Sequence, residues 1–308
     1  MRWLFMRCRE MTLLAALLVW SQAGSAETFR IGTYNIENYL DEPAQTRHVK
    51  PPEARAKVRE SILALKPDVL ALQEVGSLSA FQELRESLKA EGLDFPHWEY
   101  VTGFDTNIHV AILSKFPFTA RRPHTNDNFL LDGRRFHVSR GFAEVDIQLN
   151  TNYSFTLIAA HLKSKRPIPA AEESELRHQE AKVLREKIDE RFAAKPEVNL
   201  VVLGDMNDFK DSAPIKEVVG RGKHKLVDTR PAERNGDAPA TGPRAADSRR
   251  ITWTHYYAKE DTYSRLDYIL LSPAMARQWA TNETYILTVP NWGMASDHRP
   301  LVATFRAE

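Results

Sequence analysis

The sequence is poor in cysteine, in net charge and in long apolar runs, and each shortage removes a class of protein. One cysteine, Cys8, stands among 308 residues, so a disulfide framework or a thiolate metal site cannot be what holds the chain together. Lysine and arginine number 42 against 41 aspartate and glutamate. A polyanion gains little from so even a balance, and any grip on one must be local. The longest apolar run, from Met11 to Trp20, has about half of the ~20 residues that a membrane-spanning helix needs. Hydrophobic residues at 43% and charged residues at 27% are ordinary globular values, which excludes coil-like and collagen-like chains.

Arg2, Arg7 and Arg9 precede the apolar run, and the small residues Ala23-Gly24-Ser25-Ala26 follow it. Residues 1–26 therefore read as a secretory signal. Its removal takes away Cys8, three arginines and one glutamate, leaving 39 basic against 40 acidic side chains in 282 residues. That length suffices for a core without covalent staples. No lipid-attachment cysteine follows the run, so a secreted or periplasmic product is expected, with no transmembrane segment. A single domain is expected over 27–308. The stretch Arg230–Arg250, rich in Pro, Gly, Ala, Asp and Arg, reads as a mobile loop within it.

Strand-like and helix-like patterns alternate along this domain. Phe29–Ile36 alternates as a half-buried strand does, and Pro52–Leu65 spaces Ala54, Val58, Ile62 and Leu65 at helical period before Lys66-Pro67. Strands are expected at Asp68–Val75, Ile108–Leu113, Gly141–Leu149 and Tyr153–Leu162, the last two joined by an Asn150-Thr151-Asn152 turn. Ser79-Ala80-Phe81-Gln82 resembles a capping box opening a helix that ends near Gly92. Ala170–Phe192 is the longest helical pattern, followed by a buried strand Val198–Leu203. Ile251–Tyr257, Tyr263–Leu271, Tyr285–Val289 and Leu301–Phe305 read as further strands. Mixed hairpins and helices point to layered sheets with helices outside.

Several of the apolar runs end in compact polar clusters. These are Tyr34-Asn35-Ile36-Glu37-Asn38, Leu72-Gln73-Glu74-Val75, Ala160-His161-Leu162-Lys163-Ser164, Leu203-Gly204-Asp205-Met206-Asn207 and Ser296-Asp297-His298-Arg299-Pro300. A further acid, Asp267, lies between Leu266 and Tyr268, where a carboxylate needs a partner. Residues two apart on a strand share a face, so Asp205 and Asn207 can address one ligand, as can Asn35 and Glu37. Asp297 and His298, as neighbours, serve different partners. Oxygen donors of this kind suit magnesium, which takes one or two carboxylates and keeps several waters. Asn35, Glu74 and Asp297 can supply that.

From Thr33 to Leu301 the chain resembles the endonuclease/exonuclease/phosphatase superfamily. The resemblance rests above all on Gly204-Asp205-x-Asn207 and Ser296-Asp297-His298, with Gln73-Glu74, Val110–Lys115 and Arg265-Leu266-Asp267-Tyr268 in support. It implies an α/β (α+β) four-layer sandwich, two stacked and mainly antiparallel sheets flanked by helices, with an active site at the strand ends. It implies Asn35, Glu74 and Asp297 as the metal site, with Glu37 as an outer ligand and Mg2+ as the ion, Mn2+ or Ca2+ being alternatives. Asp205 and Asn207 would orient water and phosphate. His298 held by Asp267 would be the base, and His161 would stand by the leaving oxygen as acid. Arg140, in Ser139-Arg140-Gly141, would grip phosphate. Lys163, with Lys165 and Arg166, would meet a phosphate backbone.

The expected function is an exported metal-dependent phosphodiesterase acting on nucleic acid, as a monomer without a stable protein partner. A lipid or small-ester phosphohydrolase of the same fold is the alternative, with Trp253, Tyr256 and Tyr257 as candidates for membrane docking. An inactive binding module is the third reading. His48, His97, His109, His124, His137 and His255 are given no role.

Overall fold

Alternation along the first strand sets the architecture. In the computed structural model, which describes residues 27–234 and 251–307, the strand Glu27–Tyr39 sends Phe29 and Ile31 to one side and Tyr34 and Ile36 to the other. Both sides are apolar, so both must be covered. The expected leader at 1–26 and the part of the expected loop at 235–250 lie outside the described residues.

Sheet I runs in the order Ala232–Glu233, Trp279–Ile286, Leu301–Ala307, Glu27–Tyr39, Val69–Val75, His109–Ser114, His97–Val101. Sheet II runs Val227–Asp228, Asp267–Leu271, Leu200–Asp205, Tyr153–His161, Phe142–Asn150, Phe118–His124. Most neighbours are antiparallel. Parallel strands need a crossover, and helices supply it at the two longer parallel pairs. Helix α1 (Pro52–Leu65) lies between Glu27–Tyr39 and Val69–Val75, and α3 (Glu173–Ala194) lies between Tyr153–His161 and Leu200–Asp205.

Three apolar cores separate four layers. Phe29, Ile31, Val69 and Ile112 meet Val145, Leu157, Val201 and Ile269 between the sheets. Val58, Ile62 of α1 and Phe81, Leu84 of α2 (Leu78–Ala90) pack on the outer face of sheet I. Leu184 and Ile188 of α3, with Ile215 of α4 (Ala213–Val219), pack on the outer face of sheet II. Each fully buried aliphatic or aromatic side chain contributes about 1.5–3 kcal/mol, so this chain has no need of a disulfide. The α/β four-layer sandwich is what the sequence led us to expect. No helix among the described residues is long and apolar enough to cross a membrane.

Several local expectations are corrected. The cap of α2 is Ser77, whose Oγ accepts from Ala80 N at 3.1 Å, and not Ser79, whose hydroxyl donates to Asp41. Tyr263–Leu271 is not one strand. Leu266 N and Asp267 N donate to Thr254 Oγ1, and at that break Thr262–Ser264 turns to pair with His255–Tyr257 while Asp267–Leu271 enters sheet II. The strand expected at Tyr285–Val289 instead covers Trp279–Ile286, because its solvent-facing Thr281-Asn282-Glu283 hides the alternation. Ala232–Glu233, inside the expected loop, pairs with Tyr285–Ile286.

Candidate active site

The stripes that fill the space between the sheets turn polar at one end. Along Glu27–Tyr39 the inward residues run Phe29, Ile31, Thr33, Asn35; along Tyr153–His161 they run Leu157, Ala159, His161; along Leu200–Asp205 they run Val201, Leu203, Asp205. Asp267, Ile269, Leu271 continue the series on the next strand. Register then sets the company each keeps. Asp205 stands opposite His161 on one side and Asp267 on the other, and Asn35 stands opposite Gln73. Asn35 bridges the layers, its Nδ2 donating to Asp205 Oδ2 at 3.0 Å and to Glu74 Oε1 at 3.3 Å.

Backbone irregularities aim the remaining groups. Sheet register shifts between Asn35 and Tyr39 and between Leu72 and Val75, and such bulges redirect side chains. Glu37, Asn38, Glu74 and Asn207 all have positive φ, at 41°, 47°, 62° and 53°. For glutamates that conformation is costly and concentrates at functional sites. Gly204 is required for a different reason: at φ 130° a Cβ on it would lie 2.0 Å from Ala160 O on the neighbouring strand. Gly204→Ala is expected to destabilise the fold by about 3 kcal/mol or more, read as a fall in thermal midpoint. An unchanged midpoint would mean that Asp205 is not fixed by this close strand approach.

Asp205 Oδ2 is the hub. Besides Asn35 it accepts from Asn207 Nδ2 at 3.3 Å, and His161 Nε2 and His298 Nε2 lie 3.6 and 3.7 Å away. Asp205 Oδ1 accepts from Asn207 N at 2.8 Å, closing the tight turn that holds Asn207. His298 reaches the hub from its own loop because Ser296 Oγ donates to Asn35 O at 2.7 Å and accepts from His298 N at 3.0 Å. Its Nδ1 meets Asp267 Oδ2 at 2.8 Å. Thr254 Oγ1 donates to that same oxygen at 2.6 Å.

The charges follow from these contacts. Burial opposes the charged form of His298, but the carboxylates of Asp267 and Asp205 outweigh it and hold the imidazolium well above its usual range. Burial, then the Arg140 and His298 cations, push His161 well below. Burial and the nearby Asp267 carboxylate push Asp205 up to about 7 against the relief that His298 gives. Near neutral pH the site thus holds a charged His298, a neutral His161 and an unusually basic carboxylate.

A second acidic group adjoins the first. Glu74 accepts from Asn35 Nδ2 and, at 2.9 Å, from Asn38 N, while Glu37 Oε2 accepts from Asp297 N at 3.2 Å. Burial and the Asp297 carboxylate push Glu37 up to about 7. Asn38 Oδ1 is buried without a hydrogen-bond partner. Carboxylates and amide oxygens are donors for a hard divalent cation, and Asn35, Glu74 and Asp297 are of that chemistry. Among the described residues, the acid and imidazole groups whose ligand atoms lie within 4.8 Å of one another are His255, Asp297 and His298, and Asp205, Asp267 and His298. Glu74 is joined to them through Asn35 and Glu37 through Asp297 N. Glu37 and Asp205 bind protons more tightly folded than unfolded, so on their account the ion-free fold loses stability as pH rises from about 4 through 7. A bound cation would offset that loss. Magnesium is expected to raise the thermal midpoint by several degrees more at about pH 8 than at about pH 5; an equal rise at both would place the ion elsewhere.

Eight of the residues expected from sequence, Asn35, Glu74, His161, Asp205, Asn207, Asp267, Asp297 and His298, form one contact network. Arg140 joins it through Leu162 O, which accepts from Arg140 Nη1 at 3.3 Å and from Asn207 Nδ2 at 3.0 Å. Lys163 is held differently: its ammonium donates to the carbonyls of Ser164 and Arg166, and its N–H to Glu180. Sequence reasoning missed His255, whose ring centroid lies 4.6 Å from that of His298 and whose Nε2 lies 3.5 Å from Asp297 Oδ2. It missed Thr254 as well. Neither carries a local motif, and both arrive through pairing between residues distant in sequence, the His255–His298 bridge.

A sequence profile described as the endonuclease/exonuclease/phosphatase family matches residues 32–298. No curated protein matches the chain. Among solved structures, the human Nocturnin catalytic domain with bound sulfate is similar at TM-score 0.62 and 15% identity, over 90% of this chain and 94% of that one. Beta toxin 275-280 from Staphylococcus aureus is similar at 0.61 and 15%, over 91% and 100%. Sphingomyelinase C from Streptomyces griseocarneus is similar at 0.58 and 20%, over 91% and 100%. At these identities the likeness is one of fold.

Proposed function

The chain belongs to the endonuclease/exonuclease/phosphatase family, and on that premise we propose that it is an exported, divalent-metal-dependent phosphodiesterase hydrolysing nucleic acid. The observation that carries the reading is the convergence of donors from both sheets and the His298 loop on Asp205 Oδ2. It supplies the parts that in-line attack of water on a phosphodiester needs: a proton acceptor, donors for the non-bridging oxygens and a donor for the leaving oxygen.

Asn35, Glu74 and Asp297 would hold a divalent cation, which would supply positive charge against the phosphate oxygens. The chain does the rest. His298 donates Nδ1–H to Asp267 and turns Nε2 toward Asp205. The electrostatics favour a division of labour different from the one implied by sequence: Asp205, raised to about 7, takes the proton of water, and the His298 imidazolium steadies the charge that develops. His161, neutral by burial and by its cationic neighbours, donates a hydrogen bond to the leaving oxygen, which takes its proton from solvent while Asp205 returns the proton of the attacking water to solvent. Arg140, joined to Asn207 at Leu162 O, presents its remaining N–H groups to the phosphate, and Asn207 holds Asp205 and the Leu162 carbonyl in place.

Substrate class rests on charge. The protein is near neutral overall, yet Arg47, His48, Arg140 and Arg166 line the cleft of about 710 Å³ that also contains Glu37 and Glu74. A local group of cations is what a neutral protein needs to hold a polyanion. A second reading, a lipid phosphodiesterase, draws on the exposed Tyr257 and Tyr263 of the hairpin that carries His255. Supercoiled plasmid and sphingomyelin vesicles assayed side by side, with magnesium and with chelator, separate the two. The first reading requires magnesium-dependent plasmid cleavage, and vesicle hydrolysis without plasmid cleavage overturns it.

A further inference from the structure

We propose that Arg47 and Arg140, joined by Asp105, form a second phosphate subsite beside the reacting centre, so that the preferred substrate carries at least two phosphates. The inference rests on the phosphodiesterase reading and narrows it, because a polynucleotide meets the requirement and a single-headgroup phosphodiester does not.

A line of donors leads out of the catalytic cluster. Asn207 and Arg140 share Leu162 O as acceptor. Arg140 Nε lies 3.6 Å from Asp105 Oδ2, and Arg47 Nη2 lies 3.6 Å from that same oxygen. The two guanidinium nitrogens are thus no more than about 7 Å apart, given those two separations. At 3.6 Å neither contact is a full hydrogen bond. Asp105 orients the two cations without consuming their N–H groups, and Arg140 Nε, although buried, has no hydrogen-bond partner. Guanidinium pairs of this kind suit phosphate, which they can grip in a bidentate way.

Arg47 is also held in place before any ligand arrives. Ala44 and Arg47 exchange backbone hydrogen bonds at 3.1 and 2.9 Å, and Lys50 Nζ donates to Glu37 O, which ties this loop to Glu37. On the other side, Asp105 Oδ1 accepts from Asn107 N at 3.0 Å and Asp105 N donates to Ser139 O at 2.7 Å. The cleft is lined by Glu37, Glu53 and Glu74 together with Arg140, Arg47 and Lys50, and the Lys50 ammonium is already held by Glu37 O. A single phosphate reaching the hub engages Arg140. Only a second phosphate uses Arg47.

The test is binding in a His298→Ala background with magnesium present, so that ligand survives. Oligothymidylate is expected to bind at least ~10-fold more tightly than thymidine 5′-phosphate. Arg47→Ala should remove most of that preference and lower the salt slope by about 0.7, the value for one phosphate contact on a single strand. Arg47→Lys should restore part of it, and the thermal midpoint should stay unchanged in both. Equal binding of the two ligands, or an unchanged salt slope in Arg47→Ala, overturns the subsite. Failure of the wild-type protein to cleave plasmid overturns the nuclease reading instead, and the binding data still decide the subsite.

Discussion

Asp205→Asn, which replaces one carboxylate oxygen by an amide nitrogen of nearly equal size, is expected to lower kcat for phosphodiester hydrolysis by roughly 10³-fold. Two effects combine. The exchange removes the group proposed to take the proton of water, and it leaves the hub with half its capacity to accept. Four donors, from Asn35, Asn207, His161 and His298, lie within 3.7 Å of Oδ2, and an amide that keeps one oxygen for Asn207 N must turn its NH2 toward the others. KM should change much less than kcat, since Arg140, Glu37 and Glu74 are untouched. Asp205→Glu keeps the charge but moves it by about one bond length, and a fall of about 10² is expected from misplacement alone. Steady-state kinetics with magnesium, accompanied by circular dichroism to show retained fold, check both. A kcat for Asp205→Asn within tenfold of wild type would remove Asp205 from the chemistry.

Much of this hub is legible in the sequence because it grows from strand periodicity. Once Val201 and Leu203 are placed facing the other sheet, Asp205 must face it too, and the same reasoning carries Ile31 to Asn35 and Leu157 to His161. The stripe rule fails where the chain stops alternating. Glu37 and Glu74 reach the site only because the backbone bulges and takes positive φ, a conformation that no glutamate advertises. Short pairings are equally hidden. Three residues, His255–Tyr257, pair with Thr262–Ser264 and bridge to His298, too few for any periodic signal. Edge strands blur the pattern in their own way, as Phe118–His124 does with Arg121, Arg122 and Pro123 in its middle. Lys163, expected to meet a phosphate backbone, is engaged within the protein instead. Its stem is buried and its ammonium ties down its own loop, which a run of Lys and Arg cannot reveal.

The pair formed by His298 and Asp267 yields the second large effect, and its value lies in how the single changes combine. His298→Ala is expected to lower kcat by roughly 10³-fold or more, Asp267→Asn by roughly 10², and the double variant by no more than His298→Ala alone. The reason is that Asp267 acts only through the ring: its Oδ2 takes Nδ1–H at 2.8 Å and thereby fixes which nitrogen faces Asp205. With the ring gone, the carboxylate has nothing left to orient. The pH profile separates this from a structural role. Asp267 is the largest influence that raises the imidazolium range, so Asp267→Asn should move the alkaline limb of kcat, where wild-type His298 loses its proton, to lower pH by about one unit or more. Thr254→Val removes a donor to the same oxygen; with less competition for Asp267 the histidine is held more strongly, and the limb should move slightly the other way. Multiplicative losses in the double variant, or an alkaline limb unmoved by Asp267→Asn, would mean that the two residues serve separate ends and that the proton balance drawn around Asp205 is wrong.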